Sequence, residues 1–203
     1  GNPMGTIRMA TSHHIGLHRL PPILRQFNTQ YPDVELDLNF MDSEQACQLI
    51  ENNELDIAVV TLPFEDSPKL NFKPIWDDHL VVCCSIDHPL TTFTRLTLSN
   101  LIQHPAVLPS HGTFTREAIE NTLKPVIADL KINLETNYLE TIKMMVSVGL
   151  GWSILPESML DDSLCTLDIP GIEACRQLGI VLNKNRSQSK AVVAIIELIQ
   201  SQS

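Results

Sequence analysis

The chain has 203 residues, of which 43% are hydrophobic and 19% charged, and its formal net charge at pH 7 is −10. This apolar content excludes an intrinsically disordered chain, and the apolar runs are far shorter than the about 20 residues that a transmembrane helix needs. The 14 lysines and arginines are scattered singly, whereas nucleic-acid binding depends on clustered positive charge. We therefore expect a folded protein with a hydrophobic core. We expect it to contact no membrane and, through these residues, no DNA.

The cysteines indicate a reducing compartment. Their number is odd and no pair has C-x-x-C spacing, so the pattern fits neither a disulfide framework nor a zinc site. We expect a cytoplasmic protein with mostly buried thiols, no cofactor and no metal. The five cysteines are Cys47, Cys83, Cys84, Cys165 and Cys175.

The first sixty residues alternate between strand and helix patterns. Pro21 and Pro22 fall within a helical stripe of apolar residues that ends at Tyr31, so this helix should begin near Leu17 or His18 to keep both prolines in its first turn. The β-α-β-α-β order is typical of a parallel sheet surrounded by helices. The predicted elements are strands 6–10, 34–40 and 55–60, the helix ending at Tyr31, and a helix that starts after Asp42.

A second unit of the same kind follows. A long strand over 76–85 leads into it, and Gly149 is a suitable residue to end one of its helices. The last strand and helix could return to the first unit. The remaining predicted elements are helices 98–102, 115–123, 139–146 and 191–199, and strands 106–108, 130–136, 152–155, 164–169 and 178–182.

One polar pattern occurs in both halves. A strand, Thr11-Ser12-His13 and a helix in the first half correspond to a strand, Ser110-His111-Gly112-Thr113 and a helix in the second. In a parallel α/β sheet the carboxyl ends of strands and the amino ends of helices meet at the ligand crevice, where N–H groups and helix dipoles attract anions. We expect two such ends to form a cleft for a small anion.

Together these features resemble the C-terminal effector-binding domain of LysR-type transcriptional regulators. The matching residues are spread over positions 5 to 156. The order and spacing of the matching segments are more specific to the family than any one segment by itself. The matching segments are 5–10; 20–24 with Phe27 and 31–34; 54–59; 88–90; and 148–156, which reads Val-Gly-Leu-Gly-Trp-Ser-Ile-Leu-Pro.

The resemblance implies an α/β fold of the type 2 periplasmic-binding-protein kind, with two Rossmann-like lobes joined by two crossover strands. Lobe I would comprise residues 1–76 plus 177–203, and lobe II residues 77–176. Family members bind DNA through an N-terminal winged helix-turn-helix, which we expect to lie outside this chain. A homodimer or homotetramer is also implied.

By position, the resemblance also implies the effector contacts. The ligand would be a small molecule, most simply an anion or carboxylate, held in the interlobe cleft. Each hydroxyl in the set also has an ordinary structural role as a helix cap. The implied contacts are Thr11, Ser12, His14, Thr61, Ser110, His111, Gly112 and Thr113.

The resemblance assigns dimer pairing to the helix Leu17–Tyr31 and the strand Val34–Phe40, with the first lobe of one chain antiparallel to the second lobe of its mate. The outer face of that helix is modestly polar, as suits a reversible interface. It carries His18, Arg25, Gln26 and Thr29.

Other functions are less well supported. A periplasmic-type solute-binding receptor of a transporter would share the fold and the cleft. Redox sensing through Cys165 and Cys175 is disfavoured, because the loop that carries the reactive cysteine in sensors of this family has none here. His79 beside Asp77 and Asp78 suggests acid–base chemistry, but no nucleophile motif accompanies it, and we expect no enzyme.

Overall fold

The computed structural model describes residues 1–202. Its contacts divide the chain into two compact units, one formed by Gly1–Asp77 together with the segment from Gln177 onward, and the other by Asp78–Arg176. Within residues 1–202, no helix combines the length and the apolar character needed to cross a bilayer.

Unit 1 is built on a mixed sheet with the strand order β2-β1-β3-β9. The central strand β1 is parallel to both β2 and β3, as the β-α-β-α-β pattern predicts, whereas β9 is antiparallel to β3. The strands are β1 (Gly5–Thr11), β2 (Val34–Phe40), β3 (Ile57–Thr61) and β9 (Ala174–Asn183), and the helices are α1 (His13–His18), α2 (Pro21–Gln30), α3 (Ser43–Glu51) and α7 (Lys190–Gln200).

Two long strands continue from one unit into the other. They are β4 (Leu70–Ser85) and β9, which confirms the expected pair of crossover strands. Both are longer than predicted, because their exposed polar residues interrupt the apolar pattern from which the sequence ranges were read. Gly179 of β9 passes so close to the Lys73 carbonyl of β4 that a Cβ atom would collide with it.

Unit 2 contains a second, smaller pair of parallel strands, β5 and β6, while β7 and β8 pair antiparallel with β4. Its strands are β5 (Ala106–Leu108), β6 (Ile132–Glu135), β7 (Ser153–Pro156) and β8 (Leu164–Leu167), and its helices are α4 (Leu98–Leu101), α5 (Phe114–Thr122) and α6 (Leu139–Ser147). Short 3-10 turns cover Pro89–Thr92, Lys124–Asp129 and Glu157–Met159.

Each unit has its own apolar core. In unit 1, α2 and α7 cover the sheet, and Phe27 and Ile195 are fully buried. In unit 2, Trp152 is fully buried and its indole N–H donates to the His104 carbonyl at 2.9 Å. Burial of this kind gives each unit a core independent of any disulfide.

The helix predicted to start near Leu17 or His18 is in fact two helices, and that prediction is wrong. Helix α2 begins at Pro21, with Leu20 as its N-cap. A proline lacks the N–H that an interior turn must donate and its ring crowds the preceding turn, so Pro21 and Pro22 occupy the first positions. Residues His13–His18 form the separate helix α1.

The predicted stop of α6 at Gly149 is confirmed. Gly149 has a φ of 90°, in the left-handed region that glycine tolerates. Its N–H donates to the Val146 carbonyl at 3.0 Å, and the Leu150 N–H donates to the Met145 carbonyl at 3.0 Å. This pair of bonds satisfies the last carbonyls of the helix, as in a Schellman motif.

All five cysteines are free thiols. Burial raises the pKa of Cys47 and of Cys83 to about 12, so these thiols are unreactive at neutral pH. Cys84 is also buried, which agrees with the expectation of mostly buried thiols, but Cys175 is exposed because its side chain lies on the outer side of β9.

Candidate functional site

The four candidate residues of unit 1 lie at one edge of its sheet. Strands β1 and β3 are parallel neighbours, with Thr11 opposite Val59, so their carboxyl ends coincide. Ser12 is the N-cap of α1, and His14 lies in its first turn. Thr61 ends β3. The fold thus brings together Thr11, Ser12, His14 and Thr61, which are up to 50 positions apart in sequence.

The hydroxyl of Thr11 is already engaged. Thr11 is fully buried, and its Oγ1 donates to the Val59 carbonyl at 2.7 Å. A hydroxyl has one proton to donate, so Thr11 holds β1 against β3 and can offer a ligand only acceptor lone pairs. The donor suited to an anion is the half-buried Ser12, whose side chain makes no capping bond to α1.

Ser43 is a positioning residue that the sequence analysis missed. It is the first residue of α3 and is buried, and its Oγ accepts a hydrogen bond from the Thr61 N–H at 3.1 Å. This bond fixes the backbone where β3 ends. In the sequence, Ser43 is recognisable only as the residue directly after the N-cap Asp42. That position indicates where α3 begins, but it does not show that the Ser43 side chain reaches Thr61.

The histidines of α1 differ in their surroundings. His14 is largely buried, and its ring centroid lies 4.5 Å from that of His18, one turn further along the helix. His13 is exposed and packs edge-on against Phe40 with ring centroids 6.1 Å apart. Of the adjacent pair, His14 is therefore the one directed into the protein.

The candidate residues of unit 2 form the turn between β5 and α5. Thr113 is the N-cap of α5: its Oγ1 accepts from the Arg116 N–H at 3.1 Å and donates to the Ser110 carbonyl at 2.9 Å. Gly112 has a φ of 89°, which closes the turn. The His111 side chain is 80% exposed and lies 3.6 Å from Glu120. Besides His111, the turn leaves Gly112 exposed and Ser110 half-buried.

Arg116 holds this turn in place and was not identified from the sequence. Its guanidinium donates to the Pro109 carbonyl at 2.8 Å and binds the carboxylates of Glu120 and Glu135, both at 2.9 Å. The Arg116 side chain is only 6% exposed, so its guanidinium makes these contacts while it is itself largely shielded from water. They tie the turn to β6 as well as to α5.

The end of β6 adds a further polar group to the same edge. Because β5 and β6 are parallel, Thr136 lies beside the start of the Ser110 turn, and its N–H donates to the Leu108 carbonyl at 3.2 Å. The sequence placed Thr136 at the end of a strand but did not pair that strand with β5.

Comparison with known proteins decides the family. The LysR substrate binding domain family matches residues 1–203. The chain belongs to this family. A probable RuBisCO transcriptional regulator of Nostoc is 27% identical over 209 residues, which cover 98% of this chain and 62% of that protein. The chain thus spans about three fifths of the relatives' length.

Solved structures agree with this assignment. The regulatory domain of Synechocystis CcmR in complex with 2-PG is 26% identical, with a TM-score of 0.85 over 98% of this chain and 97% of that one. The cofactor-binding domain of the Cbl regulator shares the fold, with 24% identity, a TM-score of 0.86 and coverage of 100% and 91%. The LysR effector-binding fold, of the type 2 periplasmic-binding-protein kind, is therefore confirmed. The relatives are transcriptional regulators, so the transport-receptor alternative is not favoured.

Proposed function

We propose that this LysR domain senses a small anionic metabolite and that the ligand controls DNA binding by the full-length regulator. In this proposal units 1 and 2 are the two effector-binding lobes, and the ligand occupies the cleft that the family resemblance implies. The domain acts in the cytoplasm without catalysing a reaction. DNA is contacted only through a winged helix-turn-helix of the longer protein.

The accessible polar groups at the strand ends support this proposal. Ser12 in unit 1 and Ser110 and Gly112 in unit 2 offer hydroxyls and backbone N–H groups beside the starts of helices, and the buried Thr61 ends the neighbouring strand β3. Such groups bind carboxylates and phosphates. The related CcmR domain was solved in complex with 2-PG, which is consistent with a small ligand for this chain too.

A ligand can change DNA binding only if it binds one arrangement of the regulator more tightly than another. We propose that the two crossover strands, β4 and β9, are the segments through which such a difference is transmitted. We also propose that the protein forms a homodimer or homotetramer through α2 and β2.

Calorimetric titration tests the site. The wild-type chain and a Ser12→Ala, Thr61→Ala double variant are titrated with 2-PG and with a panel of small mono- and dicarboxylates. Loss of two hydrogen bonds to a charged ligand should weaken binding by roughly tenfold or more, because each is worth about 1.5–3 kcal/mol.

A matched control replaces one serine and one threonine on exposed positions elsewhere, Ser187→Ala with Thr92→Ala. This variant should bind as the wild type does. Undiminished affinity in the Ser12, Thr61 variant would rule out these contacts, and a wild type that binds no member of the panel would contradict anion sensing.

A further inference from the structure

We propose that His14 and His18 form a binding site for a divalent transition-metal ion, with Zn²⁺ as the probe. The inference does not depend on the proposed effector function, although the family resemblance also counts His14 among the implied effector contacts. His13 and His14 are adjacent in sequence, but their rings lie in different surroundings. The structure instead pairs His14 with a histidine four positions later.

The geometry of α1 brings the two imidazoles together. Residues four apart lie on the same side of a helix, one turn above the other. The ring centroids of His14 and His18 are 4.5 Å apart, and a ring nitrogen of one lies within 4.8 Å of a ring nitrogen of the other. Two nitrogens bound tetrahedrally to zinc at 2.0–2.1 Å stand about 3.3 Å apart, so small side-chain rotations complete the chelate.

The donors and their spacing suit borderline metals. Imidazole nitrogen favours zinc, copper and nickel over magnesium or calcium, which prefer oxygen. Two histidines at i and i+4 on a helix are also the pair that holds zinc in H-E-x-x-H sites. Two protein ligands leave the other coordination positions to water or to a carboxylate.

The backbone that carries the pair is firmly held. Helix α1 follows β1 after a single residue, and at Gly16, between the two histidines, an added Cβ would lie 2.8 Å from the Thr11 methyl group. Tight packing fixes the backbone positions of the two histidines before the metal binds. This pre-organisation reduces the entropy lost on binding.

A second histidine pair serves as an internal control. His88 and His104 in unit 2 have ring centroids 5.0 Å apart. The Nδ1 of His88, however, accepts a hydrogen bond from the Leu90 N–H at 3.0 Å, which leaves only its other nitrogen for a metal. The two residues are also far apart in sequence and belong to no common helix, so they lack the i, i+4 chelate geometry.

The test is titration of the intact chain with zinc chloride by calorimetry, with magnesium chloride as the comparison ion. We expect zinc to bind and magnesium not to bind. His18→Gln and His14→Gln should each weaken zinc binding by roughly tenfold or more, since removal of even a supporting contact to a metal ligand typically costs about 10–100-fold. His18 is exposed, so its replacement should leave the fold intact even if His14→Gln does not.

Two control variants should retain the wild-type zinc affinity. One is His104→Gln, and the other is the Ser12→Ala, Thr61→Ala double variant, which separates metal binding from effector binding. The proposal is overturned if His18→Gln binds zinc as the wild type does, if His104→Gln loses the affinity instead, or if the wild type gives no heat of binding at millimolar zinc.

Discussion

His88 shows how a single residue links local structure to pH. Its Nδ1 caps the 3-10 turn Pro89–Thr92 by accepting the Leu90 N–H, which requires a ring nitrogen without a proton. Burial and then the nearby His104 lower the pKa of His88 below its ordinary value of 6.5. The segment 88–90 helped to suggest the family, but its sequence alone could not show that the ring is buried.

This shift predicts a pH-dependent stability. Because the unfolded chain binds the His88 proton more tightly, the contribution of His88 to the free energy of unfolding is complete above pH 6.5 and is lost as the pH falls toward the lower pKa of the folded state. His88→Asn keeps a capping oxygen but cannot titrate. Urea unfolding at several pH values should therefore show a shallower decline below neutrality for His88→Asn.

The exposed His79 provides the comparison for this measurement. A slope that flattens in His88→Asn and not in His79→Asn assigns the pH dependence to the buried ring. An unchanged slope in His88→Asn would show that His88 is not the group responsible.

Two ion pairs with the same nitrogen–oxygen distance differ in burial, and burial determines how strongly each pair stabilises the fold. Arg176 of β9 binds Asp78 of β4 at 2.7 Å, with both side chains 4% exposed, and also donates to Thr115 of α5 at 3.0 Å. Lys143 and Asp161 are likewise 2.7 Å apart, but their side chains are 23% and 55% exposed. Water and ions screen the second pair and not the first.

Asp78→Asn should therefore lower the free energy of unfolding by about 3–5 kcal/mol, because it leaves the buried Arg176 charge uncompensated. Asp161→Asn should cost far less. Chemical denaturation of both variants measures the difference, and equal losses would contradict the argument from burial.

Helix boundaries and buried networks differ in how far the sequence could predict them. The end of α6 depends on glycine chemistry at Gly149, which is local, and it was predicted correctly. The start of α2 depends on proline chemistry, which is also local, but it was predicted too early because residues 13–18 form a separate helix. Arg116 was missed because its partners Pro109, Glu120 and Glu135 become neighbours only when α5 and β6 pack.

At the scale of the whole molecule, the proposal to be tested is self-association. Strand β2 is the edge of the unit 1 sheet, and α2 exposes Arg25, Gln26 and Thr29. If α2 forms the proposed interface, Gln26→Lys with Thr29→Lys should shift the sedimentation profile toward monomer, because buried lysines lose hydration without gaining partners.

The matched control adds the same two charges elsewhere in unit 1, as Asn185→Lys with Ser187→Lys, both at exposed positions outside α2 and β2. It should sediment as the wild type does. A wild type that is monomeric at high micromolar concentration would contradict the proposal for this chain.

The amino-acid sequence alone was sufficient to predict the alternation of strands and helices, the polar strand ends and the family. These features depend on residues within a few positions of one another. Folding was needed to show that the Thr11 hydroxyl is engaged by Val59, that Ser43 supports Thr61, and that Arg116 fixes the Ser110 turn. Each of these contacts joins separate elements, and the Thr11 partner is 48 positions away. The periodicity of apolar residues along the chain carries no information about such pairs. The hydrogen-bond partner of a buried group depends on which elements pack together in the folded protein.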